Sequence, residues 1–410
     1  MNIGNQKLQR KINRERIINL LRQQGNMSRS QITGQTKLGW GSITKYSSEL
    51  LKEGIIKEVG DQKSKGRKSV ILGLNKDYKY IVGLDIGAGL IKGTVVNMAG
   101  IECGYHQEET LWDTDKSKIL EQIYKIIEKL LKIADISSEQ LLAIGCGFAG
   151  GVDFELGIVK VAGNFRDFTQ VPLGDLISKQ FKTPCFIANS ILVRLLGESK
   201  SDLVTDKKNI AYISLGTGIG AGIIFLGKVI VPTEDERIGD IAHFMIKEDG
   251  PQCYCGMHGC LETLVGARHL MTKIKKRLAN SNSKLKGILD SLSWELLQEA
   301  AKNKDKIVCE ILKEAGCYIG TALIGVVQFY HPDVIILGGG MTNLGDHLIQ
   351  PIKDTIAEHL PVERFDVNNI IISNQKYHNG AIGATLYAWD NIFHSEREYV
   401  NLKLHGTMNT

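Results

Sequence analysis

Proline is scarce in this chain: 7 of 410 residues, well under the usual ~5%. Its 44 glycines, about 11% of the chain, show no period-three repeat, so a collagen-like fibre is excluded and glycine-rich loops become the features to find. No run approaches the ~18 uncharged apolar residues of a membrane span, so no membrane attachment is expected. The stretch from Met1 to Arg16 is polar and basic with no apolar segment behind it, so no secretory signal is visible and a cytoplasmic location is expected. Eight cysteines in a chain of this length do not suggest a disulfide scaffold. Five of them, Cys103, Cys146, Cys185, Cys309 and Cys317, are scattered and read as small buried hydrophobes. The other three crowd between Cys253 and Cys260.

What is present is ordinary in bulk and uneven in distribution. Hydrophobic residues make up 43% and charged residues 23%, which excludes wholesale disorder, and the length calls for two or three domains. The net charge of +5 hides a division. Residues 1–79 hold 17 Lys or Arg against 6 Asp or Glu, a net of +11, which leaves −6 on the rest. A basic head on a mildly acidic body points to nucleic acid.

The head has hydrophobic periodicity that a mere solubilising tail lacks. Ile12, Ile17, Ile18, Leu20 and Leu21 predict a first helix ending near Gly25. Ser28 is the predicted N-cap of a short second helix, Arg29 to Thr36. A third helix, with Ile43, Leu50 and Leu51 inward, runs to about Glu53 with Gly54 as its cap. Strands at 55–59 and 69–74, joined by a basic loop, complete a winged helix-turn-helix. In that motif the third helix enters the major groove of double-stranded DNA. Trp40, Ser42, Thr44 and Lys45 are the candidate base contacts, Ser28 and Arg29 at the start of the second helix are further candidate DNA contacts, and Lys65, Arg67 and Lys68 on the wing would reach phosphates or a narrow minor groove.

The body contains two strand–glycine–strand modules. Tyr80 to Leu84 leads into Asp85-Ile86-Gly87-Ala88-Gly89 and a second strand, Ile91 to Asn97. Ile210 to Leu215 leads into Gly216-Thr217-Gly218-Ile219-Gly220-Ala221-Gly222 and another returning strand. A Rossmann fingerprint or a P-loop places a helix after the glycines; a strand follows here, so the glycines are expected in hairpin turns. Backbone N–H groups of such turns can close on phosphate because no Cβ intrudes. Two modules in succession suggest a duplicated α/β fold of the actin and sugar-kinase type. Asp85, Gly87, Gly216, Thr217 and Gly218 are its candidate nucleotide contacts, with Gly339, after the strand Asp333 to Leu337, suited to an adenine pocket.

Cys253, Cys255 and Cys260 supply three thiolates on a glycine-rich loop, enough with one imidazole for a closed, structural zinc site. His243, ten residues upstream, and His258, inside the loop, compete for the fourth position.

The ordered set of winged head, Asp85-Ile86-Gly87, Leu215 to Gly222, Gly239-Asp240-Ile241-Ala242-His243 and Cys253 to Glu262 resembles the ROK family of repressors, open reading frames and sugar kinases. The resemblance covers nearly the whole chain, and the head is similar to that of the family's xylose-, N-acetylglucosamine- and glucose-responsive repressors; the stand-alone kinases lack it. It implies a structural zinc on His243, Cys253, Cys255 and Cys260. It also implies a sugar site in which Asn189, Asp240, His243 and Glu262 bind hydroxyls over Gly150 and Gly151, with His243 coupling sugar and metal. The implied architecture is α/β: a winged helix-turn-helix over 1–79, a first lobe over 80–200 completed by a C-terminal helix at 378–395, and a second lobe over 201–377 that carries the zinc loop.

Three departures from the kinase pattern bear on activity. Ser190 stands where family kinases have the catalytic Asp, and a neutral Ser cannot take a hydroxyl proton as a carboxylate does. Gly89 and Leu90 replace the usual Thr and Lys of the first phosphate loop, so ATP and Mg2+ are not expected as working cofactors. Asp240 stands where Glu is usual, which affects which sugar is read. The expected protein is thus a cytoplasmic, sugar-responsive, DNA-binding repressor with an inactive kinase body, acting as a homodimer or dimer of dimers on an operator. The runner-up is a bifunctional sugar kinase with a regulatory head, and a transport or signalling protein is a further expected partner.

Overall fold

The computed structural model describes residues 3–63, 68–163, 165–231, 239–374, 378–393 and 400–401. They fall into two compact units, one reaching to Gly197 and regained at His378, the other beginning at Glu198. The N-terminal head belongs to the first unit.

The head begins with α1 (Ile3–Gln24), in which residues 6–11 are exposed, so the helix starts well before its apolar stripe. A two-residue strand, β1 (Met27–Ser28), precedes α2 (Arg29–Thr36). Ser28 caps α2 as expected: its hydroxyl accepts from the Gln31 N–H, while the Gln31 side chain accepts from the Ser28 N–H. Lys37, at φ 57, ends the helix in the left-handed region. Then α3 (Trp40–Lys52) buries Ile43, Ser47 and Leu50. The wing pairs β2 (Ile56–Lys63) with β3 (Lys68–Leu74), a longer hairpin than the sequence pattern indicated, with a bulge between Glu58 and Gly60. The central strand β3 also takes β1 on its other edge.

The first lobe follows with β4 (Tyr80–Ile86), β5 (Leu90–Asn97), β6 (Glu102–Glu109), α4 (Lys116–Ile133), β7 (Leu141–Phe148), β8 (Gly151–Asp153), β9 (Ile158–Val161), α5 (Leu173–Phe181), β10 (Cys185–Asn189) and α6 (Ser190–Glu198). Its five-stranded sheet has the order β10-β7-β4-β5-β6, antiparallel on the hairpin side of β4 and parallel on the other. Val82, Leu84 and Ile86 of β4 pack with Ile119, Ile123, Ile126 and Leu130, one stripe of α4.

The second unit contains β11 (Ile210–Leu215), β12 (Ile219–Phe225), β13 (Lys228–Val231), α7 (Leu261–Val265), α8 (Ala267–Ala279), α9 (Trp294–Lys302), α10 (Lys306–Tyr330), β14 (Val334–Gly338), α11 (Asp346–His359) and β15 (Ile370–Ile372). Its sheet runs β15-β14-β11-β12-β13, with β16 (Val400–Asn401) added beyond β13. Numbered within each sheet and leaving aside β16, both thus read 5-4-1-2-3 with the same pattern of parallel and antiparallel neighbours; β8 and β9 form a separate two-stranded sheet. Both glycine segments join a strand to its antiparallel partner. The fold is the duplicated α/β arrangement inferred from the two modules.

The C-terminal helix α12 (Asn379–Phe393) returns to the first unit. Trp389 and Ala388 join Ile81, Val96, Met98 and Ala143 of the first lobe in one cluster with Ile17, Leu21, Ile43 and Leu72 of the head. The Trp389 Nε1–H donates to Asn19 Oδ1 at 2.8 Å, and Asn19 Nδ2 donates to the Phe393 carbonyl at 3.0 Å. The Arg22 guanidinium lies 3.7 Å from the Trp389 ring centre; burial lowers its pKa to about 10, against the raising effect of Asp390. The head is therefore joined to the lobe by a continuous apolar core. No described helix is long and apolar enough to cross a membrane.

Candidate functional site

The cysteine loop is shaped by its backbone before its sulfurs meet. Bridges between Met245 and Cys260 and between Gln252 and His258 close it, and the Cys253 N–H donates to the Met257 carbonyl at 2.7 Å. Gly259 sits at φ +62, and a Cβ there would lie 1.6 Å from the Lys247 carbonyl oxygen, so only glycine permits this crossing. Upstream, Gly239 at φ +82 presses on β12, where a Cβ would lie 2.1 Å from the Ala221 oxygen. That contact starts the short 3-10 turn Ile241–His243 and delivers its imidazole to the loop.

His243, Cys253, Cys255 and Cys260 converge, their ligand atoms all within 4.8 Å of one another. His243 Nδ1 is 3.4 Å from Cys253 Sγ, and Cys255 Sγ is 3.6 Å from Cys260 Sγ. Zinc bonds of ~2.3 Å to sulfur and ~2.0 Å to nitrogen give tetrahedral edges of about 3.5–3.8 Å, so the donor set fits that ion. The competing His258 is exposed and is not among the four. Burial pushes the Cys260 thiol up to about 12, and the neighbouring thiols add to the rise. The Met257 N–H instead lowers Cys255. A buried thiolate at Cys260 therefore requires a compensating cation.

The other ring nitrogen, His243 Nε2, lies 2.9 Å from the Tyr254 hydroxyl and 3.8 Å from Asp240 Oδ2. Tyr254 escaped the sequence reading, although its place between two ligand cysteines is a usable signal. Two residues beyond Cys260, Glu262 lies in the first turn of α7, and its Oε2 accepts from the Ile219 N–H at 3.1 Å. The same oxygen would lie 3.1 Å from a Cβ on Gly218. The residues expected to bind sugar and those expected to bind nucleotide are thus neighbours in this unit. Thr217 is exposed at the tip of the turn between Gly216 and Gly218, and Gly339, at φ +90, follows β14 against the Leu215 backbone.

In the first unit, Asn189 Oδ1 accepts from the Leu192 N–H at 2.7 Å, which caps α6, and Ser190 is buried. A Cβ on Gly150 would meet the Val161 oxygen at 2.4 Å, whereas Gly151 has more room. Gly87 turns β4 towards β5, its N–H donating to the Leu90 carbonyl at 3.0 Å. Asp85 is buried, with both carboxylate oxygens held by Arg194 at 2.9 and 3.1 Å.

On the head, Trp40, Thr44 and Lys45 are exposed on α3, Trp40 at 58%, and Ser42 is half-buried. Ser28 is buried with its hydroxyl engaged in capping. Arg29 is partly buried and donates from Nε to Ser47 Oγ at 3.0 Å. Lys65 and Arg67 lie outside the described residues, as does the side chain of Lys68.

A model described as the ROK family matches residues 81–391. The xylose repressor of Caldicellulosiruptor bescii is 28% identical over 384 residues, covering 91% of this chain and 94% of that protein. A glucokinase of Thermotoga maritima is 27% identical, covering 74% of this chain and 95% of its own. A solved ROK family transcriptional regulator, a homologue of the Escherichia coli MLC protein, superposes with a TM-score of 0.79 at 25% identity, covering 94% of this chain and 98% of that one.

Proposed function

The chain belongs to the ROK family, and from that premise we propose that it is a cytoplasmic, sugar-responsive transcriptional repressor of carbohydrate-use genes whose body binds its effector without phosphorylating it. The observation that carries this reading is the winged head, whose α3 turns Trp40, Thr44 and Lys45 to solvent. Such a helix end suits the major groove, with Lys45 adding salt-sensitive attraction to the duplex. A homodimer would place two such heads on paired half-sites.

Ligand chemistry rests on the body. In the second unit, Asp240, His243 and Glu262 are assigned to sugar hydroxyls; in the first, Asn189 keeps the same assignment and Gly150 and Gly151 that of lining the floor. His243, Cys253, Cys255 and Cys260 would hold a structural zinc, which fixes the imidazole and leaves Nε2 towards Asp240 and Tyr254. Sugar bound beside Asp240 would then be felt by the metal loop. Ser190, buried where a base is needed, leaves phosphoryl transfer short of a group worth roughly 10²–10⁴ in rate.

Selection of duplexes from a random library by the full-length protein, followed by anisotropy titrations with a panel of aldoses and N-acetyl sugars, tests this. The expected result is sequence-selective binding whose affinity shifts with one sugar class. Absence of selective binding, or sugar-dependent ATP turnover at the ~1–100 s⁻¹ usual for kinases, overturns it.

A further inference from the structure

The carboxylate of Asp85 ends a buried strand beside a glycine turn, a position with the chemistry to share a divalent cation with phosphate oxygens. In this chain a protein cation already holds it. The Arg194 guanidinium grips it as a two-pronged fork, Nε to Oδ2 at 2.9 Å and Nη2 to Oδ1 at 3.1 Å. The same Nη2 lies 3.4 Å from where a Cβ of Gly87 would be, so the charge sits against the turn itself.

Packing dictates this placement. A Cβ on Gly147 of β7 would lie 2.1 Å from Val193 Cγ2, and one on Gly383 of α12 would lie 1.6 Å from the Val193 oxygen. Helix α6 is thereby wedged between β7 and α12, and Arg194, the next residue, is delivered over β4. On the other side Gly380 closes on the carboxylate, where a Cβ would lie 2.2 Å from Asp85 Oδ2. Lys92, opposite Asp85 in the β4–β5 register, is a second cation at this place. Burial lowers its pKa, Asp85 raises it and Arg194 lowers it. Among the described residues this carboxylate thus faces two cations, and a divalent ion would meet repulsion and find both oxygens engaged.

We propose that Arg194 acts as a built-in substitute for the divalent cation, occupying Asp85 and so removing metal–nucleotide from the ligands of the first glycine turn. This rests on the reading of the body as a sugar-binding module that does not phosphorylate. It makes Arg194 a specificity-determining residue: a body that cannot load metal–nucleotide answers to sugar alone, independently of the base missing at Ser190.

Manganese binding, followed by loss of the free Mn2+ electron paramagnetic resonance signal with and without ATP, tests the proposal, since the cysteine cluster is common to every variant. Wild type and Asp85→Asn should bind Mn2+ and Mn2+–ATP alike. Arg194→Ala should gain about one Mn2+ per chain, at least about tenfold tighter than wild type, and Arg194→Ala/Asp85→Asn should lose it. Arg194→Gln, neutral and closer in length, takes the same test where the alanine variant does not fold. Wild-type binding of Mn2+ or Mn2+–ATP that Asp85→Asn abolishes overturns the proposal, as does a folded Arg194→Ala or Arg194→Gln with no added site. Operator binding by the wild type, measured in parallel, fails only if the repressor reading fails.

Discussion

The two lobes thread their five strands in the same order, yet they have been loaded with opposite chemistry. In the first, the glycine turn at Gly87 is backed by a buried carboxylate that Arg194 holds and that Lys92 faces across the β4–β5 register. In the second, the turn at Gly218 meets the Glu262 carboxylate, and Cys260, two residues before Glu262, belongs to a His–Cys cluster of metal-ligand type. Among the described residues the metal-type cluster occurs in the second lobe only. The shared backbone plan is one of strand order and glycine turns, whereas the charges facing each turn are set by single side chains and differ between the lobes.

The comparison breaks most visibly at the metal cluster. Cys260→Ser should abolish stoichiometric zinc and cost the second unit more than about 3 kcal/mol, a fraction of the ~10–16 kcal/mol that structural zinc contributes in unassisted peptides. Metal analysis with chemical denaturation would check this; retained zinc and an unchanged midpoint would remove the metal from the account. Next in size is Trp389→Ala. It opens the core that the first lobe shares with the head and removes the bond to Asn19, for an expected loss of ~3–5 kcal/mol. The head and first lobe should melt earlier together, with weakened operator binding, whereas a melting change confined to the lobe would show the head to be independent.

The smallest effect belongs to an ion pair at the edge of the first sheet. Bonds from Lys129, first, and from His106 hold the Glu108 carboxyl down at about 2. A depressed carboxyl stabilises the fold above its ordinary range, and this contribution fades as pH falls from about 4.5 towards 2. Both side chains keep contact with water, so Lys129→Ala should cost under ~1 kcal/mol at pH 7. Urea titrations should show the penalty shrinking through that window; a pH-independent penalty would assign it to packing.

Legibility followed the range of the interaction. The Ser28–Gln31 cap could be read because both partners lie within one turn, and both glycine turns because a strand follows each directly. The extended start of α1 was missed because its exposed turns carry no apolar stripe. The four-ligand cluster was half legible: three cysteines announce it, but the competition between His243 and His258 was settled by the direction in which Gly239 and Gly259 turn the chain. Arg194 gave no signal, since its partner is 109 residues away.

By itself, then, the sequence determined the helices of the head, its basic charge and the duplicated strand plan, because each depends on periodicity, composition or a motif within a few residues. Tertiary structure alone decided that the head shares a core with the first lobe through Trp389 and that Asp85 is occupied by Arg194. Those outcomes depend on which distant side chains close packing brings within about 3 Å, where a hydrogen bond or ion pair becomes strong, and local pattern carries no record of that distance.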